Sequence, residues 1–393
     1  MRPMVSIDSA QRRVRLAIRH RLAPSARSTD PVDIARSMVV LHATDPATVF
    51  LSVGARGIDL TPADVEKALY ADRTLLRLLA MRRTMFVAPT ELLPVLQAST
   101  CDALAHKQRR AYGRYLEQAG IDDVDTWLRE VEAETHAALL ARGAATGAQL
   151  GKDVPRLQTK IDTAPGKSYS KPTSITTWVL VILGAEGRIV RGRPNGGWTS
   201  SQYTWSPVET WLPQGFTPMP ADAARTELVR RWLYAFGPAP VSDLKWWTGW
   251  TLSEVRKALS PLDTTEVDLD GTPGIILSDD LAPVPTPEPW AALLPALDPT
   301  PMGWQSRDWF LGPHAPALFD TNGNIGPSIW ADGRIVGGWA QRSDGEIVTR
   351  LLEDVSPETR KLIDTEIDRT TTWFGTTRAI PRFRTPLQRE LTA

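Results

Sequence analysis

The sequence predicts an α+β chain of tandem winged-helix (helix-turn-helix) units with a C-terminal β-barrel-like subdomain. Three observations carry this. Residues 221–277 read as a helix, a Gly-Pro break, a short helix, a Thr-Gly turn, a further helix, then two alternating runs that turn at Asp270-Gly271. That order is a helix-turn-helix with a hairpin wing. The β-prone run 82–88 follows several short helices, repeating the order near the amino end. Runs 327–330, 334–341 and 346–353 alternate around two Asp-Gly turns, a meander suited to a small barrel or curled sheet.

Taking the elements in order, residues 8–22 form a helix whose apolar positions Val14, Leu16, Ala17 and Leu22 lie among five arginines. Those arginines suit a solvated face, with phosphate contact as the sharper alternative. Asp30-Pro31 and Asp45-Pro46 are cap-plus-proline starts for helices over 31–41 and 46–55. Thr61-Pro62 starts another that runs to about 71. After the runs 75–79 and 82–88, residues 90–142 are helical. GAATGAQLGKD then looks like a helix-turn-helix entry, followed by a basic polar stretch, WVLVILGAEG, RIVRGR and an aromatic Gly-rich loop. A Pro-rich linker occupies 282–290, a capped helix 356–369, and a basic tail follows. The resulting domains are 1–142 (winged-helix unit with a helical extension), 143–215 (second unit with the basic loop), 216–281 (third unit) and 291–393 (β-barrel-like subdomain with a helix and basic tail).

Composition narrows the function. The 393 residues carry 45 Lys+Arg against 45 Asp+Glu, which excludes a histone-like polycation but not a local basic face. One cysteine, Cys101, excludes a disulfide framework and a cysteine zinc cluster, and fits a reducing compartment. The first twenty residues lack the apolar core of a secretion signal, and no apolar stretch is long enough to span a membrane. No phosphate-binding loop, serine elbow or His-Glu-x-x-His motif occurs, and the five histidines are scattered. No metal or other cofactor is expected.

The sharpest polar cluster is HATD at 42–45, which interrupts an apolar stretch. Asp45 can serve as a base or stabilise a cation, and His42 can orient water or shuttle a proton. The structural alternative is plain: Asp45 caps the helix at Pro46, Thr44 extends the cap, and His42 ends a helix. Arg82 and Arg83 can clamp phosphate, or form a surface pair. Lys152, Arg156, Lys160, Lys167, Lys171, Arg188, Arg191 and Arg193, followed by Trp198, Tyr203 and Trp205, form the best electrostatic footprint for a nucleic-acid backbone; a solvated loop beside core tryptophans is the alternative. Trp246, Trp247 and Trp250 read as core.

VVLHATDPATVFLSVGAR, LRLLAMRRTMFVAP, ELVRRWLYAFGPAPVSDLKWWTGW, LLPALDPTPMGW and IGPSIWADGRIVGGW follow one another between residues 30 and 345. In that order they resemble the winged-helix DNA glycosylases of the AlkZ/YcaQ type. The resemblance implies monofunctional hydrolysis of the N-glycosidic bond of alkylated or bulky-adduct purines, within bacterial base-excision repair. It implies double-stranded DNA with damaged bases as partner, no membrane, no obligate protein partner and a cytoplasmic, nucleoid-associated location. The family's catalytic motif is Gln-x-Gln or Gln-x-Asp. Here the matching positions hold His42 and Thr44, with Asp45 directly after as the carboxylate. RRTMF stands where the family usually places a histidine near Phe86. The rival reading is a non-catalytic tandem winged-helix DNA-binding regulator, which needs no polar cluster in an apolar wall.

Overall fold

A computed structural model describes residues 5–163 and 171–393. It opens with β1 (Val5–Ser6), α1 (Ser9–Arg19), α2 (Pro31–Ser37), β2 (Leu41–His42), α3 (Pro46–Gly54), α4 (Pro62–Glu66), β3 (Leu75–Leu79) and β4 (Met85–Pro89). Then follow α5 (Leu93–Leu96), α6 (Asp102–Gln118), α7 (Val124–Arg142), α8 (Gly147–Asp153), β5 (Lys160–Ile161), β6 (Thr173–Ser174), α9 (Thr176–Ala185), β7 (Ile189–Pro194), β8 (Tyr203–Pro207) and α10 (Val208–Trp211). The remainder is α11 (Ala221–Phe236), α12 (Val241–Thr248), α13 (Leu252–Leu259), β9 (Thr264–Leu269), β10 (Thr272–Leu277), β11 (Ala291–Leu294), α14 (Asp308–Leu311), α15 (Ala315–Leu318), β12 (Ser328–Ala331), β13 (Arg334–Gln341), β14 (Ile347–Leu351), α16 (Pro357–Phe374) and α17 (Pro386–Leu391).

Capping chemistry sets the helix starts. Asp8, Asp30 and Asp45 each accept a backbone N–H in the first turn, and Pro31 and Pro46 stand at the first helical position, where no N–H is missed. Thr146 and Thr251 form capping boxes with Gln149 and Glu254.

The chain repeats one order three times. In α2–β2–α3–α4–β3–β4, the short strand β2 pairs with β4 through Leu41–Val87 and His42–Phe86. In α7–α8–α9–β7–β8, Ala145 between the first two helices bridges to Trp205 of β8. In α11–α12–α13–β9–β10, Ala239 bridges to Ile275 of β10. Each time the connector between the first two helices pairs with the second hairpin strand.

The C-terminal subdomain corrects an expectation. The expected β-barrel-like closure is absent among the described residues: β11-β12-β13-β14 is an open antiparallel sheet with β11 and β14 at its edges. The two edge strands do not pair with each other, so the sheet does not close on itself. Instead α16 packs against β11, β12 and β14, and α17 against β13 and β14. Strand β11 itself was not foreseen, because all four of its residues are buried and no alternation marks it.

One apolar core runs through the first and third repeats and the C-terminal sheet, from Ile34, Phe50 and Val87 to Trp232, Leu293 and Trp330. A second core occupies α6 to β7, with Leu139, Leu150, Val179 and Leu183. Trp247 and Trp250 are core residues as expected, while Trp246 is only half-buried.

The first repeat is fastened to the segment after β11 by a buried ion pair. Arg56 donates to both oxygens of Asp298, at 2.8 and 2.7 Å, and both residues are fully enclosed. Ser52 Oγ donates to the same carboxylate at 2.7 Å, and Thr48 Oγ1 to the carbonyl of Ala296 at 2.8 Å. Every donor and acceptor is thus matched, as a buried charge requires. Helix α3 and the residues just before it are thereby held in one orientation.

Candidate active site and cationic surroundings

The HATD run lies on and just after β2, where the first connector crosses from sheet to helix. His42 is 7% exposed, and its ring meets Phe86 edge-on at 5.7 Å. Burial, and then the charge of Arg82, push its pKa down to about 3. The imidazole is therefore neutral at physiological pH. Its Nδ1 receives the Thr44 N–H across 3.4 Å, a long contact that favours the hydrogen on Nε2. His42 thus offers a donor, and Thr44 beside it is half-buried with a hydroxyl that donates and accepts.

Asp45 behaves differently. Its Oδ1 accepts the Ala47 N–H at 3.0 Å and its Oδ2 the Arg382 N–H at 2.8 Å. It is 6% exposed, and burial raises its pKa against the lowering effect of those two amides. This is the capping geometry that the Asp-Pro pair suggests. The tie to Arg382, from the far end of the chain, has no signal in the local sequence. With both oxygens held by amides, Asp45 shapes the end of β2 and contributes a negative field there. A direct base has a freer oxygen.

Arg82 and Arg83 occupy the tight β3–β4 turn, both left-handed with φ of 54° and 58°. Two consecutive non-glycine residues in that region cost about 1–3 kcal/mol each, a strain typical of functional loops. Arg82 makes no ion pair among the described residues; its guanidinium lies 4.0 Å from the Trp246 ring, which also takes Arg307 at 4.9 Å. Arg83 donates to the Tyr112 hydroxyl at 3.1 Å.

The expected footprint over 152–193 is divided. Arg156 is committed to Glu130 and Glu134, Arg193 to Glu66 at 2.6 Å, and Arg188 stands near Glu132 and Glu186. Lys152, Lys160 and Lys171 are exposed and make no ion pair among the described residues. Arg191 is largely buried against Tyr203 and Trp205. Lys167 lies outside the described residues.

Sequence reasoning missed Arg77, Arg307 and Arg56. The signal for Arg77 is visible in hindsight: one charge inside the buried strand LLRLL. It donates to the Ala43 carbonyl at 3.2 Å, between His42 and Thr44. Among the described residues no group of His, Cys, Asp and Glu side chains is arranged to hold a metal ion, and no helix is long and apolar enough to cross a membrane.

The comparisons with known proteins agree with this architecture. Among solved structures, the DNA glycosylase AlkZ of Streptomyces sahachiroi matches with a TM-score of 0.73 at 19% identity, over 96% of this chain and 99% of that one. That likeness shows the shared fold. No protein with a curated description matches the chain. A family model described as DNA glycosylase AlkZ-like matches residues 35–373, which takes in the HATD run, the first repeat from the middle of α2, the other two repeats and most of α16. This sets aside the non-catalytic regulator: the chain belongs to the AlkZ-like DNA glycosylase family and is a DNA repair hydrolase.

Proposed function

We propose that this glycosylase excises alkylated or bulky-adduct purines from double-stranded DNA at the end of β2, with His42 and Thr44 as the catalytic pair and Asp45 as the positioning residue. The observation that carries the reading is a neutral, preset histidine beside a half-buried hydroxyl, at the positions that match the family's polar-x-polar motif. An alkylated purine is already an activated leaving group. The protein has to favour an oxocarbenium-like sugar, place a water and assist departure of the base. Nε2–H of His42 donates to the departing base or to the water oxygen; Thr44 Oγ accepts from that water. Asp45 lends negative potential from behind the strand.

The three repeats fit tandem winged-helix units, each with its connector strand and hairpin wing. Their DNA side carries Arg82 with Arg307 around Trp246, and the exposed Lys152, Lys160 and Lys171. Such phosphate contacts make affinity fall with salt. The substrate places the protein with chromosomal DNA in the cytoplasm.

The test is release of free base from duplexes carrying 7-methylguanine or a bulky purine adduct. Wild type releases base; in His42→Ala and Thr44→Ala release falls about 10²–10³-fold, while both bind the duplex as wild type does. Undiminished release by both variants would overturn the assignment.

A further inference from the structure

We propose that Ile380 is an apolar wedge that enters the base stack of the substrate DNA beside the reacting nucleotide, with Arg382 and Arg384 on the flanking phosphates. The place of the wedge rests on the reading that base release occurs at the end of β2; the arch that carries it is argued from its own atoms.

The segment between α16 and α17 opens the basic tail. From Gly375 to Thr385 it holds three arginines and no carboxylate. Ile380, 70% exposed, is the most exposed large apolar side chain among the described residues. A lone apolar side chain in water needs no explanation by itself. Its mounting sets this one apart. On one side the buried amide of Gln341, in β13, grips the backbone: Oε1 accepts the Ala379 N–H at 2.9 Å and Nε2 donates to the Thr377 carbonyl at 3.2 Å. On the other side the Arg382 N–H donates to Asp45 Oδ2 at 2.8 Å. Pro381 fixes its own φ and holds the preceding Ile380 extended. Ile380 is thus the tip of a short arch with both feet pinned to buried polar groups.

The arch stands next to the reactive strand. Ala379 and Pro381 line one small cavity with Asp45 and Trp339. Two residues separate Ile380 from the amide on Asp45, at most about 7 Å of chain, and Asp45 directly follows Thr44. The surroundings of the tip say what it meets. Arg378 is turned back onto the carbonyls of Thr377 and Asp344. Arg382 and Arg384 are exposed and make no ion pair among the described residues. An apolar tip beside unneutralised cations matches a duplex, which has phosphates outside and stacked apolar rings between them. Proteins that kink DNA insert such side chains between base steps while cations hold the backbone. A β-branched side chain on a pinned backbone has little freedom to lose on insertion. Opening the stack beside the lesion frees the damaged nucleotide to reach His42.

The experiment uses a fully paired duplex in which a hydrolysis-resistant, fluorinated 7-methylguanine nucleotide has 2-aminopurine as its neighbour, a base that brightens when it unstacks. Wild type, Ile380→Ser, Ile380→Leu and Arg384→Gln are compared. Wild type and Ile380→Leu should brighten the probe. Ile380→Ser should lose most of the rise with an unchanged thermal melt, since the side chain it alters is exposed. On ordinary 7-methylguanine duplexes Ile380→Ser should slow base release about tenfold, and the deficit should shrink where the lesion is mispaired and loosely stacked. Arg384→Gln should brighten the probe at saturation and take about 0.9 from the slope of log affinity against log salt, one phosphate contact. Equal brightening by wild type and Ile380→Ser overturns the wedge. If, in addition, wild type self-associates in sedimentation and Ile380→Ser does not, the arch is a contact between two copies of this chain and the DNA assignment is overturned. Base release by His42→Ala is read separately: brightening that depends on Ile380 upholds the wedge even if that variant releases base at the wild-type rate and the reaction assignment falls.

Discussion

The first and third connectors occupy the same place in the fold and solve the same problem. Each leaves a helix, pairs with the second strand of a hairpin and starts the next helix. The third does so with GPAP, in which Ala239 is fully buried and Pro240 precedes α12 without any side-chain cap. The second uses Ala145 and a Thr146 capping box. The first uses HATD: the Ala43 N–H bonds the Met85 carbonyl as Ala145 and Ala239 bond those of Trp205 and Ile275, and His42 precedes Ala43 on β2. The backbone bond that the three connectors share runs through alanine each time, so nothing in the pairing requires an imidazole beside it. Holding that imidazole neutral in the interior costs stability below its ordinary pKa of 6.5, a cost that Ala144 and Pro238, before the alanine in the other two connectors, do not carry. The difference teaches that the shared connector leaves the position before its alanine free: the first repeat fills it with a buried polar side chain, the second and third with Ala144 and Pro238.

Four experiments test this contrast, from the largest expected effect to the smallest. Arg56→Ala strips the partner from Asp298 and should destabilise the protein by about 3–5 kcal/mol, read from urea unfolding; a loss below 1 kcal/mol would mean that the first repeat is held by something else. His42→Ala removes the imidazole and leaves the shared backbone bond of Ala43 in place. Base release should fall about 10²–10³-fold, with the unfolding midpoint at neutral pH unchanged or higher. The third uses pH. The unfolded histidine titrates near its ordinary 6.5 and the folded one near 3, so the unfolded state binds the extra proton in between. Stability therefore falls as the pH drops from 6.5 towards 3, by about 1.4 kcal/mol per pH unit for each such residue. His20 adds to this slope, since burial and Arg56 also push it down to about 3. His42→Ala should show a shallower decline than wild type, and parallel curves would contradict the buried neutral state. Last, Asp45→Asn keeps an acceptor for Ala47 but sets an amide N–H₂ towards the Arg382 N–H. We expect a loss of about 0.5–2 kcal/mol and a smaller fall in release than for His42→Ala; the reverse ranking would return Asp45 to the centre of the reaction.

Much of this contrast was legible in the sequence. The caps at Asp30, Asp45 and Thr61, the hairpin at Asp270-Gly271 and the meander over β12–β14 all follow from local rules, and each formed within a few residues of its expected bounds. What stayed hidden depends on distant partners. Strand β11 exists because β12 pairs with it, and its buried AALL carries no period. The sheet remained open where a barrel was expected, because closure is a property of edge-strand pairing and of helix cover. At the site, His42, Thr44 and Asp45 were named from their apolar setting, and the sequence held both the capping and the catalytic reading of Asp45. Only the Arg382 amide, 337 positions away, shows that its second oxygen is taken. The basic stretch was misleading in another way: a count of cations ignores the glutamates of α7 and α4 that fold against Arg156 and Arg193.

The bond between Asp45 and Arg382 also sets an order of events in the cell. Strand β2 is made well before the amide that completes its surroundings, 337 positions further on. A growing polypeptide that has not yet exposed Arg382 therefore lacks one support of the corner at Asp45.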